Sequence, residues 1–252
     1  MDIKEALFKY TLRLGDNSLI LGHRLSEWCG HGPILEQDIA LINVALDLIG
    51  QSRSYLAYAG EIEGKGRDED AMAYLRVERD FYNVLLAEQP NGDFGRTIAR
   101  QFFFDVFHFL LLEKLTSSTD EQIAAIAVKS LKEVTYHLRY SSEWIIRLGD
   151  GTEESHRRIQ ESIDELWMYT GEMFEMDEVD ETLIGVGIAT DLSALKPLWE
   201  EKVSEVLKEA TLNQPESGWM QSGGRKGIHS EHLGFLLSEL QYLQRTVPNA
   251  KW

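Results

Sequence analysis

The sequence predicts an all-α protein built from about eight helices, and three observations carry that prediction. Apolar residues recur at helical spacing through most of the 252 residues. No apolar–polar alternation runs long enough to make a convincing strand. Helix breakers fall in clusters, at Gly30-His31-Gly32-Pro33, Pro90-Asn91-Gly92 and Gly149-Asp150-Gly151.

Those breakers set the elements in order. A first helix is expected from Ile3 to Trp28 and a second from Glu36 to Ala59, closed by Gly60, Gly64 and Gly66. A third, more polar, covers Asp68 to Ala87. A fourth runs from Phe94 to Leu115. Ser118 or Thr119 caps a fifth, with Glu121 or Gln122 placed for a capping box, and it reaches Leu148. Thr152 starts a sixth that ends near Phe174, and residues 175–190 read as a connection. Asp191 or Ser193 opens a seventh, ending near Leu212. The glycine-bearing loop Asn213–Gly227 follows, and His229 to Arg245 forms the last helix.

Composition narrows the functional classes. The 43% hydrophobic and 27% charged residues are those of an ordinary globular protein. Five scattered prolines and no Pro/Ser-rich linker favour one domain over residues 1–252. Acids outnumber bases 42 to 25, giving a net charge of −17. That sign disfavours nucleic acid and anionic membrane surfaces, which need clustered Lys and Arg. The densest apolar run, Phe102 to Leu112, is broken by Asp105 and His108 and is too short for a bilayer. With one cysteine, Cys29, there is no intrachain disulfide, and the N-terminal MDIKEALFKY has no signal-peptide core. A soluble cytoplasmic protein is expected. Cys29 reads as a packed thiol.

Polar residues inside the most apolar helices are the anomaly. The second helix, apolar on nearly every side, carries Asn43, Asp47 and Gln51 at intervals of four. The fourth places Asp105 and His108 three apart among Phe and Leu. The fifth carries Glu133, Tyr136 and His137. A buried carboxylate costs several kcal/mol unless it is paired or metal-bound. One reading is therefore a dinuclear metal site, which draws one Glu from each of two helices and Glu-x-x-His from two others. Another is a hydrogen-bonded network with His108 or His137 as satisfied core histidines. Three residues after Asp47 and Glu133 stand Gly50 and Tyr136, not histidines, and the first helix offers Asp16 or Asn17 instead of a glutamate. These losses favour a vestigial di-metal site made of Asp47, Asp105, His108, Glu133, Tyr136 and His137, with no catalytic residue and no bound metal.

Several strings resemble a known family. They are YTLRLGDNSLILGHRLSEWCGHGPILEQDIALINVALDLIGQSRSYL, EQPNGDF, TIARQFFFD, KEVTYHLRYSSEWIIRLGDGT, GGRKGIHSEHLG and SELQYLQR. They are similar to the smaller, PaaC-type subunits of the phenylacetyl-CoA ring-1,2-epoxidase, a bacterial multicomponent monooxygenase of aerobic phenylacetate breakdown. The similarity runs from about Tyr10 to Leu243. It implies a ferritin-like four-helix bundle core with additional helices. It implies an accessory subunit with no cofactor of its own, paired with a catalytic subunit that holds the di-iron centre and binds phenylacetyl-CoA. An iron–sulfur flavoprotein reductase would supply electrons from NADPH to that partner. Other subunits of the complex are possible partners too, as is a homodimer when the chain is isolated. Gly50 and Tyr136, where the catalytic relative would carry histidines, fit the accessory role, with Asp47, Asp105 and Glu133 as remnants of ligand positions.

Two readings stand beside it: an active di-metal oxidase using Asp47, Asp105, His108, Glu133 and His137, and a helical scaffold with a purely structural polar network. Arg225 and Lys226 lie between glycines ahead of a helix start, suited to CoA phosphates or an acidic partner segment, or else to an ordinary exposed loop. The family similarity at this loop favours an interface role. Trp219, in the same loop, is the tryptophan expected at an interface. The acidic stretch Glu172–Glu181 reads as a solvated helix end and turn, or else as a docking site for a reductase or catalytic subunit that presents Lys and Arg, and EQPNGDF chiefly as a turn in which Asn91-Gly92 supplies positive φ.

Overall fold

The computed structural model describes residues 1–216 and 218–248; Trp252 lies outside them. Among the described residues there are helices and turns and no strand. The chain divides into two compact units: Met1–Glu88 with the segment from Gly223 onward, and Gln89–Ser222.

The first unit is organised by α1 (Ile3–Ser26) and α2 (Leu35–Glu63), which pack along their lengths. Gly15 and Gly22 allow the close approach. A Cβ on Gly15 would sit 2.8 Å from Leu56, and one on Gly22 would sit 3.2 Å from the Ala45 carbonyl. Leu21, Leu25, Leu41, Val44, Leu48 and Leu56 are buried between and around them. Two short helices, α3 (Glu69–Tyr74) and α4 (Leu85–Glu88), follow, and α10 (Glu231–Thr246) packs back on both.

The expected third helix over Asp68–Ala87 is thus two fragments with an irregular segment between. Asp68 caps α3 by accepting from the Ala71 N–H at 2.9 Å. The chain then leaves the helix so that Arg76 can reach Asp16 in the interior of the unit. The Tyr82 N–H also donates to Asp16, at 2.9 Å, and the Val84 N–H to Asn17, at 2.8 Å. These α1 side chains take up backbone donors that a continuous helix would have bonded internally. α2 runs through Gly60 to Glu63 and stops at Gly64, where φ is 72°.

The second unit is built on α5 (Phe94–Leu115), against which α6 (Glu121–Gly149), α7 (Glu153–Trp167) and α9 (Leu192–Glu209) pack. Its core is aromatic. The Phe103 ring lies 5.6 Å from Trp167 and 5.8 Å from Trp199, and Phe174 lies 5.6 Å from Trp199. Trp199 Nε1 donates to the Phe103 carbonyl at 2.9 Å, so the buried indole is satisfied. Aspartates cap the helices: Asp93 begins α5, Asp120 begins α6 and Asp191 begins α9. Asp120, not Ser118 or Thr119, therefore caps the fifth expected helix. The two hydroxyls instead donate to the Ile188 and Val186 carbonyls.

Residues 175–190 are not a plain connection. They hold α8 (Glu178–Ile184), with Asp177 and Asp180 as a capping box. Glu172 and Asp180 are wholly buried, so the acidic stretch is only partly solvated. Thr152 caps α7 as expected, but that helix ends at Trp167, and Gly171–Phe174 forms a separate single turn. Cys29, expected to be packed, is exposed in the turn after α1.

Candidate functional site

In the second unit, α5 and α6 bring together Asp105, His108, His137 and Ser141. Asp105 has no exposure to solvent. Gln101, one helical turn earlier, donates Nε2 to Oδ1 at 2.6 Å, and Ser141 of α6 donates Oγ to Oδ2 at 2.8 Å. Burial pushes the Asp105 carboxyl up to about 6, against the opposing pull of His137 and of these two hydrogen bonds. His108 lies on the same helix, its ring 5.2 Å from Phe104. Burial, then repulsion from His137, drives it down to about 3, so it is neutral. Its Nδ1 is buried without a hydrogen bond.

The other expected members are placed differently. Glu133 is half-buried on α6. Tyr136 is 39% exposed, stacks on Tyr140 and lies under the Arg139 guanidinium. It faces outward because it sits about 100° around the helix from His137. Asp47 belongs to the first unit and is half-buried, between exposed Asn43 and buried Gln51. A four-residue step drifts about 40° around a helix, so this stripe winds from solvent into the core. Gly50 offers no side chain. Asp16, the first-helix candidate, is bonded by Arg76 and Tyr82.

These residues do not fit a two-metal carboxylate centre. Asp105 is the one fully buried acid of the expected set, Glu133 and Asp47 are only half-buried, Gly50 has no side chain and Tyr136 faces away. Among the described residues, no three His, Cys, Asp or Glu side chains are grouped as ligands would be. Chemically the cluster is a hydrogen-bonded clasp between α5 and α6.

A second clasp, in the first unit, joins two strings far apart in the chain. Glu88, fully buried at the head of EQPNGDF, accepts from Asn83 Nδ2 at 2.9 Å and from the N–H and Oγ of Ser230, both at 2.7 Å. His229 presents Nδ1 to Glu88 Oε2 and Nε2 to the Phe81 carbonyl, each at 2.8 Å. A carbonyl and a carboxylate both accept, so these two contacts favour the doubly protonated ring. Burial opposes that charge, but Glu88, Phe81 and Asp16 outweigh it and hold the histidine above its ordinary value. Arg24 completes the clasp, donating Nε and Nη2 to the Glu88 carbonyl at 3.1 and 3.0 Å. Neither residue's role was visible in its own string; the pairing joins the EQPNGDF and GIHSEH strings, both among those carrying the family resemblance.

The loop Gly223–Gly227 is fixed on the same unit. A Cβ on Gly224 would meet the Asn83 carbonyl at 2.2 Å, and Gly227 takes φ 74° over Arg79. The Arg225 carbonyl accepts from Arg13 at 3.3 Å. Lys226 is exposed and lines a cavity of about 540 Å³ with Arg79, Ile228 and His229. Trp219, in the second unit, is 72% exposed.

The family model for phenylacetic acid catabolic proteins matches residues 2–252. The chain belongs to this family. It is also 52% identical, over 98% of its own length and 99% of the relative's, to the C-type subunit of the 1,2-phenylacetyl-CoA epoxidase of Escherichia coli strain K12. The helical, ferritin-like architecture expected from the sequence agrees with that membership and with the helices described above. Among the described residues, no helix is long and apolar enough to cross a membrane.

Proposed function

We propose that this chain is the non-catalytic subunit of a multicomponent monooxygenase that epoxidises the ring of phenylacetyl-CoA, serving phenylacetate breakdown in the cytoplasm. The whole chain acts as one ferritin-like domain and pairs with a catalytic subunit that carries the di-iron centre. The reductase and further subunits dock on the resulting complex. Similarity to a protein named as a subunit of that epoxidase supports the partnership. The observation that carries the non-catalytic part is the broken ligand pattern: Gly50 has no side chain to offer and Tyr136 is exposed on the outer side of α6, so neither position supplies a histidine-like donor. The vestigial set of Asp47, Asp105, His108, Glu133, Tyr136 and His137 contributes fold stability, and the chain binds no metal of its own. Arg225, Lys226 and Trp219 serve contact with a partner or with CoA.

Metal analysis of the purified chain, alone and in complex, tests this reading. Far less than one iron per chain is expected alone, with stoichiometric co-purification when the catalytic subunit is co-expressed. One or two tightly bound metal ions per isolated chain, with oxidase activity, would overturn it.

A further inference from the structure

The outward face of α6 gathers cations that no carboxylate neutralises. Lys129, Lys132, Tyr136, Arg139 and Arg147 are exposed and recur at helical spacing, so they form one stripe about 27 Å long. The opposite side of the helix buries Ile126, Val134, His137 and Ile145. Elsewhere on the chain, surface cations are held by acids: Arg157 reaches Glu161 at 2.7 Å, Arg158 reaches Glu154 at 2.6 Å and Lys202 reaches Glu205 at 2.8 Å. Among the described residues, Lys129, Lys132 and Arg139 have no such partner. Arg139 instead lies 5.6 Å over the Tyr136 ring. Arg147 lies 5.4 Å over Trp144 and meets Glu143, the one exposed acid between Lys129 and Arg147, only at 3.8 Å. A guanidinium resting on an aromatic face keeps its charge and its fork of donors for a carboxylate.

Charge and shape select the occupant. On a chain of net charge −17, an unneutralised basic stripe is the surface that attracts an anion. The same net charge disfavours a nucleic acid or an anionic bilayer, because each extends past the stripe onto acidic surface. A short acidic protein segment stays within it. Tyr136 at the centre of the stripe, and Val128 at its edge with 48% exposure, call for apolar side chains among the acids. Among the described residues there is no sheet edge to take up the backbone of an extended segment, whereas a helix bonds its own backbone. A helix laid along α6 also rises by the same amount per residue, so acids spaced three and four apart keep step with the cations.

We infer that the outer face of α6, through Lys129, Lys132, Tyr136, Arg139 and Arg147, docks an acidic amphipathic helix of a partner protein. Carboxylates of that helix pair with the cations, and apolar residues between them cover Tyr136 and Val128. The inference names a surface and a partner chemistry that the accessory-subunit reading leaves open. It is read out by binding, not by metal content or co-purification, so it fails separately from that reading. Exposed ion pairs contribute little each, so the affinity is modest, with a dissociation constant on the order of 10–100 μM that weakens with salt.

Fluorescence anisotropy tests this, with the full chain titrated from about 1 to 500 μM into a labelled helical peptide of about 21 residues. The peptide carries glutamates at intervals of three and four along one face, with leucines between them. Saturable binding is expected. Lys132→Glu combined with Arg139→Glu should weaken it at least about tenfold, with unchanged far-UV circular dichroism because both side chains are exposed. A peptide with lysines in place of the glutamates should bind that variant more tightly than it binds the wild type. Lys208→Glu, at an exposed position of α9, should leave the affinity for the acidic peptide within about twofold. Four results would overturn the inference: no binding across the range, equal binding of a peptide whose glutamates are scattered around the helix, indifference to the double charge reversal, or equally tight binding of a single-stranded oligonucleotide or of phosphatidylserine vesicles.

Discussion

Replacing Asp105 by asparagine separates a polar clasp from a metal ligand. An ordinary aspartate titrates near 3.8, and burial raises this one to about 6, so at neutral pH the native state carries a desolvated charge that the unfolded chain does not. At about 1.4 kcal/mol per pH unit, the gap costs about 3 kcal/mol of stability. Asparagine has the same shape and can keep both bonds. Its Oδ1 accepts from Gln101, and its Nδ2 donates to Ser141 Oγ, whose proton turns to the His137 carbonyl at 3.0 Å. The signs follow from linkage. Asp105 has a raised folded pKa, so its contribution is full below about 3.8 and is lost as pH rises through about 6. His108 has a depressed one, so its contribution is full above about 6.5 and is lost as pH falls toward about 3. Between about pH 4 and 6 the two slopes oppose each other and largely cancel in the wild type. Asp105→Asn leaves the His108 slope alone. Urea unfolding, followed through the tryptophan fluorescence of the second unit, should show the variant equal to wild type near pH 4. Near pH 7.5 it should be more stable by up to about 3 kcal/mol. A variant less stable than wild type by more than about 1 kcal/mol, equally at both pH values, would refute the reasoning, because the carboxylate would then be neutralising a cation.

Glu88→Ala removes the acceptor for Asn83, His229 and Ser230 at once, leaving the three partners without it, and should cost about 3–5 kcal/mol in urea unfolding. Because His229 is held above its ordinary value, the deficit should be full below about pH 6.5 and shrink as pH rises through the folded-state value. Gly224→Ala would drive a methyl to 2.2 Å from the Asn83 carbonyl, and a loss of about 1–3 kcal/mol is expected in the same assay.

The long helices were legible because their apolar periodicity and their breakers are local properties of the chain. α1, α2, α5 and α6 stand close to where the pattern puts them. What escaped depends on partners remote in sequence. Nothing near Arg76 announces that it will abandon a helix to pair with Asp16, 60 residues earlier. Nothing in EQPNGDF shows that Glu88 will bind His229, 141 residues later. The candidate site was half legible for a geometric reason. Asp105, His108 and His137 are interior, as their sequence setting predicts, since a titratable group amid Phe and Leu on a core helix has nowhere else to go. Tyr136 groups with Glu133 in the sequence because residues three apart on a helix are neighbours, yet that neighbourhood spans enough arc to leave Glu133 half-buried and Tyr136 exposed.

The two clasps hold buried acids by hydrogen bonds from the protein itself. Each carboxylate is buried on one unit and is held by protein donors from elements remote in the chain: Ser141 of α6 on Asp105 of α5, and the loop leading into α10 on Glu88. A metal would impose several ligands and a fixed geometry at one point. Hydrogen-bond donors ask only for a serine, a glutamine or a backbone N–H at the right depth, so the helix faces around them are free to change. That freedom is visible on α2. Gly50 and the residues around it form an exposed apolar stripe. A di-metal ligand at that position would have to point inward, whereas the side chains flanking Gly50 on this face, Leu46 and Ile49, are exposed.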